Sequence, residues 1–215
     1  MRKPFGALLL ATATAALTIG LGATSSLAAT AQPTWSVSPG GAVTLTKSGV
    51  VTLQDTTTGN SLTCTKSKGT ASFAAGTGLS GTDIAAITAV SFATCTGPMR
   101  LNLKMTAGNL PWELTGTSYN PAITSGLTIG TLSGIHATLS GAHCSATVDG
   151  SSATGNDGET EFHYHNSLRK LKTESALSNL HVYNVTGCAG VLNSGDAVAL
   201  IAAWLVSPAQ TITQS

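Results

Sequence analysis

Apolar residues alternate with polar ones at period two in several stretches, among them Leu101-Asn102-Leu103-Lys104-Met105, Leu127-Thr128-Ile129, Ile135-His136-Ala137-Thr138-Leu139 and Phe162-His163-Tyr164. Alternation with Thr, Val and Ile enrichment is the signature of half-buried strands. Turn signals separate them, as at Pro39-Gly40-Gly41, Gly59-Asn60, Thr96-Gly97-Pro98, Gly108-Asn109 and Ser194-Gly195-Asp196, with a longer polar stretch from Asp149 to Gly158. Many short strands at this spacing predict an all-β, antiparallel sandwich or barrel-like domain. Only 167–180 resists, because Leu168, Leu171, Leu177 and Leu180 fit a short helix as readily as a strand. The ten apolar residues Ala197 to Val206 are too few to span a membrane as a helix and suit a strand buried on both faces. A membrane barrel strand or a subunit contact is the alternative for that run.

The chain starts differently. Arg2 and Lys3 precede an uncharged apolar run from Phe5 to Ala23, which leads into the small residues Ala29-Thr30-Ala31 before Gln32-Pro33. This tripartite layout predicts a cleavable signal peptide over residues 1–31, with a second cleavage site after Ala28. No paired arginines precede the apolar run and no Cys follows the cleavage region, so the general secretory route is expected, without a lipid anchor. Cleavage would leave a single domain, residues 32–215. Its size suits one core.

Removing Arg2 and Lys3 from the 10 Lys/Arg leaves 8 against 9 Asp/Glu, a formal charge of −1. That balance gives no net attraction to nucleic acid or anionic lipid. Charged residues make up only 9% of the chain, so Thr, Ser, Gly and Asn must supply the polar surface. The exterior should be neutral and rich in hydroxyls.

Four cysteines stand at 64, 95, 144 and 188. In an oxidising compartment they allow three pairings, among which spacing alone does not select. Cys64–Cys95 with Cys144–Cys188 is preferred because each pair then brackets one of two weakly similar halves, about 32–118 and 119–215. Val90 to Gly97 in the first half is similar to Val182 to Gly190 in the second, and each is followed by an apolar stretch containing Trp112 or Trp204.

The strings Phe92 to Pro98, Leu110-Pro111-Trp112-Glu113-Leu114, Gly134 to Gly141 with Cys144 after it, and Val185 to Gly190 with Gly195-Asp196 carry a further signal. Together with the Ser207-Pro208 and Gln210-Thr211-Ile212-Thr213 ending, this chain resembles a set of secreted proteins of unknown function common in Streptomyces and related actinobacteria. The resemblance spans most of residues 60–211. It implies export and an actinobacterial origin, and carries over no catalytic residue.

For chemistry, the best candidate is Glu161-Phe162-His163-Tyr164-His165. On a strand, Glu161, His163 and His165 share one face, and imidazoles about 6–7 Å apart can share a metal if a neighbouring strand supplies a third ligand. His143, His136 and His181 are the candidates for that ligand. A His-x-His strand of the cupin kind would want a Glu four or five residues on, where Arg169 and Lys170 stand, and Glu174 comes too late. The competing reading is a solvated strand face with Phe162 and Tyr164 in the core.

Other motifs are weaker. Gly76-Thr77-Gly78-Leu79-Ser80-Gly81 matches a dinucleotide fingerprint but lacks the helix and the later acid, and reads as a glycine-rich β loop. No Gly-x-Ser-x-Gly elbow is present. Asp149, Asp157, Glu159 and Glu161 are carboxylates of the kind used in glycoside hydrolysis or calcium binding, although Asp157-Gly158-Glu159 suits a turn. Trp35, Trp112 and Trp204 could form an aromatic ligand platform, but Trp112 and Trp204 lie in apolar runs that read as core. With no convergent catalytic motif, the expected function is a secreted, non-catalytic extracellular or cell-envelope protein that binds an unknown surface ligand or assembles, with no resident cofactor. A metal-dependent activity at His163 and His165, or an envelope-associated homo-oligomer, is the alternative.

Overall fold

The computed structural model describes residues 32–124 and 126–215; the predicted signal peptide and both cleavage sites lie outside the described residues. Residues 33–215 form one compact unit. Its strands are β1 (Trp35–Ser38), β2 (Gly41–Lys47), β3 (Val51–Asp55), β4 (Ser61–Phe73), β5 (Gly76–Leu79), β6 (Ala85–Thr96), β7 (Asn102–Gly108), β8 (Trp112–Asn120), β9 (Leu127–Gly141), β10 (Cys144–Asp149), β11 (Gly158–His165), β12 (Lys170–Ser178), β13 (His181–Thr186), β14 (Val198–Ser207) and β15 (Thr211–Gln214). A single 3-10 turn, Pro98–Arg100, is the only helical element among the described residues.

The pairings close a ring. Going round, β11, β12, β14, the split stave β2/β3, β4, β6, the split stave β7/β8 and β9 are each antiparallel to the next, and β9 pairs back onto β11. The domain is therefore an antiparallel barrel, with the open-sandwich alternative set aside by the β9–β11 ladder. Each sequence half supplies adjacent staves: β2, β3, β4, β6, β7 and most of β8 come from the first, and β9, β11, β12 and β14 from the second. Closure depends on β9, whose 15 residues reach β8 and then β7 along one edge, and β11 and then β10 along the other. Gly130 sits where β8, β9 and β11 crowd together. A Cβ there would lie 2.1 Å from the Thr115 carbonyl oxygen and 2.6 Å from the Phe162 ring.

The alternation predicted from sequence now has a physical meaning. Inward residues fill the barrel, and Trp35, Trp112, Trp204, Tyr164 and Phe162 are all fully buried. Buried aromatics keep their polar tips satisfied: Trp112 Nε1 donates to the Gly108 carbonyl at 3.0 Å, Trp204 Nε1 to Ser67 Oγ at 2.9 Å, and the Tyr164 hydroxyl to the Gln210 carbonyl at 2.8 Å. Trp112 and Trp204 are core, as their apolar runs implied. Trp35 is core as well, which removes the aromatic platform. The run 197–206 is β14, whose Val198, Leu200, Ala202, Trp204 and Val206 are buried on one face and Ala199 and Ala203 on the other. The ambiguous segment 167–180 holds strand β12: Leu171 and Leu180 are buried, whereas Leu168 (54% exposed) and Leu177 (68%) face outward, so the apparent helical spacing mixed two faces.

The two ends of the barrel are held differently. A small sheet, β15-β1-β5, caps one end, with Trp35, Val37 and Ile212 buried beneath it. Asn166, just past β11, grips that cap through Ile212, donating from Nδ2 to its carbonyl at 2.8 Å and accepting its N–H at 2.9 Å. Gly116 lets Trp35 in, since a Cβ there would stand 2.9 Å from the indole ring. Toward the other end lie both disulfides, Cys64–Cys95 and Cys144–Cys188, the preferred pairing. Cys64 and Cys95 face each other in the β4–β6 register, so the first bridge ties two neighbouring staves.

The loops closed by these bridges span 31 and 44 residues, for which the chain-entropy model gives about 4 kcal/mol each. Reduction, or replacement of one cysteine pair by serine, should lower the urea midpoint by an amount equivalent to several kcal/mol per bridge. A midpoint unmoved by reductant would contradict this.

Candidate functional site

Strand β11 places Glu161, His163 and His165 on the outer face of the barrel and Phe162 and Tyr164 in the core, as strand geometry requires. The β11–β12 hairpin then adds what the sequence kept apart. Glu174, too late for a single-strand motif, comes beside His163, with 3.5 Å between its Oε1 and His163 Nδ1. Glu161 Oε1 lies 3.0 Å from His163 Nε2, and Lys172 Nζ donates to Glu174 Oε1 at 2.6 Å. Both nitrogens of His163 thus face carboxylates. Burial, then Lys172, His163 and Lys170, hold His165 below its ordinary pKa.

A metal shared by the two imidazoles would need at least a third ligand. No group of three or more candidate ligand residues gathers among the described residues. Each proposed third ligand lies elsewhere. His143 sits in the turn between β9 and β10, where it lines a hollow of about 330 Å³ with Arg100, Met99 and Ala189. His136 and His181 flank Asp149, a site that sequence reasoning missed.

Asp149 ends β10 and is 0% exposed. Its Oδ2 lies 2.8 Å from His136 Nδ1 and accepts the Asn156 N–H at 3.1 Å, while Oδ1 accepts the N–H groups of Gly150 at 2.7 Å and Asp157 at 3.2 Å. Burial raises its pKa, but the His136 contact and the three backbone donors outweigh that and hold the carboxyl below its ordinary value. An Asp–His pair resembles two-thirds of a hydrolytic triad. Here no hydroxyl or thiol among the described residues hydrogen-bonds the second ring nitrogen of His136, and every cysteine is in a disulfide. What the carboxylate does is gather the polar loop 150–157. Asp157 extends the knot, accepting the Ser151 N–H at 2.9 Å and its hydroxyl at 2.5 Å.

Beside the β11 row runs an open groove of about 430 Å³, lined by Glu159, Glu161, Thr117, Thr131, Ser178 and Asn179. Leu177 and Gly130 complete its lining, so an apolar side chain stands among the hydroxyls, the amide and the two carboxylates. The glycine-rich 76–81 string forms β5 and the turn after it, with no helix behind it. No protein-family model matches the chain, and neither the curated proteins nor the solved structures contain a match to it.

Asp149 sets a pH dependence. A carboxyl with a depressed native pKa contributes its stability in full well above 3.8, the ordinary value, and loses it as pH falls from there through the native value. Asp149→Asn, which keeps the shape but cannot accept all four bonds, should destabilise the protein at pH 7 by about 2–3 kcal/mol. In denaturant titrations the gap to wild type should narrow below about pH 4. A gap constant from pH 7 to pH 3 would show that Asp149 is not the charged anchor of the loop.

Proposed function

We propose that this is an exported, non-catalytic protein that binds a ligand of the extracellular or cell-envelope space on the outer wall of its barrel. The observation carrying this reading is the filled interior. Trp112, Trp204, Phe162 and Tyr164 are fully buried inside the ring and Trp35 beneath its cap, so ligand contact falls to the hydroxyl-rich outer face, which carries open grooves. Ligand-binding pockets that perform chemistry bury most of their substrate and converge polar groups on it. On the β11–β12 part of this wall Glu161, His163, Glu174 and Lys172 are engaged with one another.

Export is supported by the leader-like N-terminus and by two disulfides, which persist in oxidising compartments. The likeness to secreted actinobacterial proteins points the same way. A rigid wall pinned by bridges at one end and a cap at the other presents a preorganised surface, which limits the ordering cost of binding.

The test is cosedimentation of the purified protein with isolated bacterial cell envelopes, paired with analysis of the supernatant for released fragments. Saturable retention without soluble products is expected. Turnover of an envelope component, abolished by one point substitution, would overturn the reading, as would the absence of any retention.

A further inference from the structure

The split stave β2/β3 leaves a gap in the barrel wall. Its ladder with β4 runs from Gly41↔Phe73 to Thr46↔Lys68 and resumes at Val51↔Cys64, so residues 65–67 of β4 have no register partner on that side. Interruptions of this kind re-aim side chains and recur at functional sites. Here the gap opens into a groove of about 380 Å³, lined by Lys47, Lys66, Lys68, Thr46, Thr65 and Ser91.

Three of the eight cations in residues 32–215 meet in this groove, and no acid lines it. None of the three lysines has a carboxylate within ion-pair distance among the described residues, whereas Lys172 is paired with Glu174. The floor is firm. Ser67, buried between the exposed Lys66 and Lys68, accepts the Trp204 indole N–H at 2.9 Å and so ties this part of β4 to the core. Along β4 the two exposed lysines repeat at about 6–7 Å, a spacing suited to successive charges on a linear polymer.

We propose that this groove binds an extended polymer carrying phosphate or sulfate groups outside the cell. The proposal supplies a ligand class for the binding function above and rests on that reading. Lysine ammonium groups act as compact point charges for tetrahedral anions, where arginine would favour bidentate pairing. Threonine and serine hydroxyls around them can donate to the same oxygens. No aromatic side chain lines the groove, so the stacking platform of single-stranded nucleic-acid binding is missing. The net charge of −1 conceals the patch because it averages over the whole surface.

The test is a binding titration of the purified protein against inorganic polyphosphate, dextran sulfate, unmodified dextran and a single-stranded oligothymidylate, at 50 to 200 mM salt. Polyphosphate or dextran sulfate should bind, the tighter of the two identifying the anion, and unmodified dextran should not. With three contacts the slope of log K against log salt should be about −2, a loss of about fifteenfold over that range. Lys66→Gln/Lys68→Gln should flatten the slope to about −0.7 and weaken binding at 50 mM at least about tenfold. The control Lys104→Gln/Lys170→Gln, with the same change in charge elsewhere and an equally native thermal midpoint, should bind within about twofold of wild type.

Equal losses in both variants, or no loss in the groove variant, would overturn the assignment. Oligothymidylate bound at least about tenfold tighter than polyphosphate would overturn it in favour of a nucleic acid. Wild-type protein that sediments with envelopes yet ignores both charged polymers removes the groove proposal and leaves the binding function standing. Failure of the wild type in both assays removes both.

Discussion

The pairing of β9 with β11 is the constraint on which the rest of the structure depends. Without it the wall would be a long twisted sheet with two open edges, each offering unpaired N–H and C=O groups to other chains. With it each stave has a neighbour on both sides, and β11 is paired with β9 over all eight residues from Gly158 to His165 and with β12 at Thr160 and from Phe162 to His165. Closure also fixes what faces in. Once the ring is shut, the alternating side chains of every stave must share one interior, and the indoles of Trp35, Trp112 and Trp204 fill it with the rings of Phe162 and Tyr164. The binding function proposed above follows from this, because a filled interior leaves ligand contact to the outer face.

A closed ring still has two ends, and this chain secures them by different chemistry. At the capped end the first strand, β1, pairs with the last strand, β15, and Asn166 and Tyr164 hold that small sheet to β11. Toward the opposite end the cross-links are covalent. Cys64–Cys95 joins β4 to β6, and Cys144–Cys188 joins the start of β10 to the segment beyond β13. The Asp149 knot works between these anchors, converting a polar stretch of Gly, Ser, Asn and Asp into an ordered loop around one buried carboxylate. The lysines beside the β2/β3 gap meet over a groove with no acid in its lining and no carboxylate within ion-pair distance among the described residues.

Much of the fold was legible because strand alternation is a local signal, as at Leu101 to Met105 and Phe162 to Tyr164. The disulfide pairing was legible because two similar halves each bracket one bridge. Local signals failed where partners are distant in sequence. Trp35 looked available as a ligand platform because its burial depends on Gly116 and on β15, some 80 and 180 residues away. The four leucines between 168 and 180 imitated helical spacing because Leu168, in the turn before β12, and Leu177, within it, point to solvent. At the candidate sites, Glu161, His163 and His165 were placed on one face correctly, but Glu174 reaches His163 only through the hairpin. Asp149 gave no sign of burial, since its donors come from the loop that it organises. Lys47, Lys66 and Lys68 were lost in a whole-chain charge near zero because composition carries no positions.

Hydrogen–deuterium exchange resolved by segment tests ring closure most directly. A closed barrel predicts that amides in 127–135 and 158–165 exchange as slowly as those of β4 and β6, through global opening alone. Exchange of β11 orders of magnitude faster than β4 would mean that the β9–β11 seam is an open edge, and would contradict the filled, closed barrel on which the outward placement of function rests.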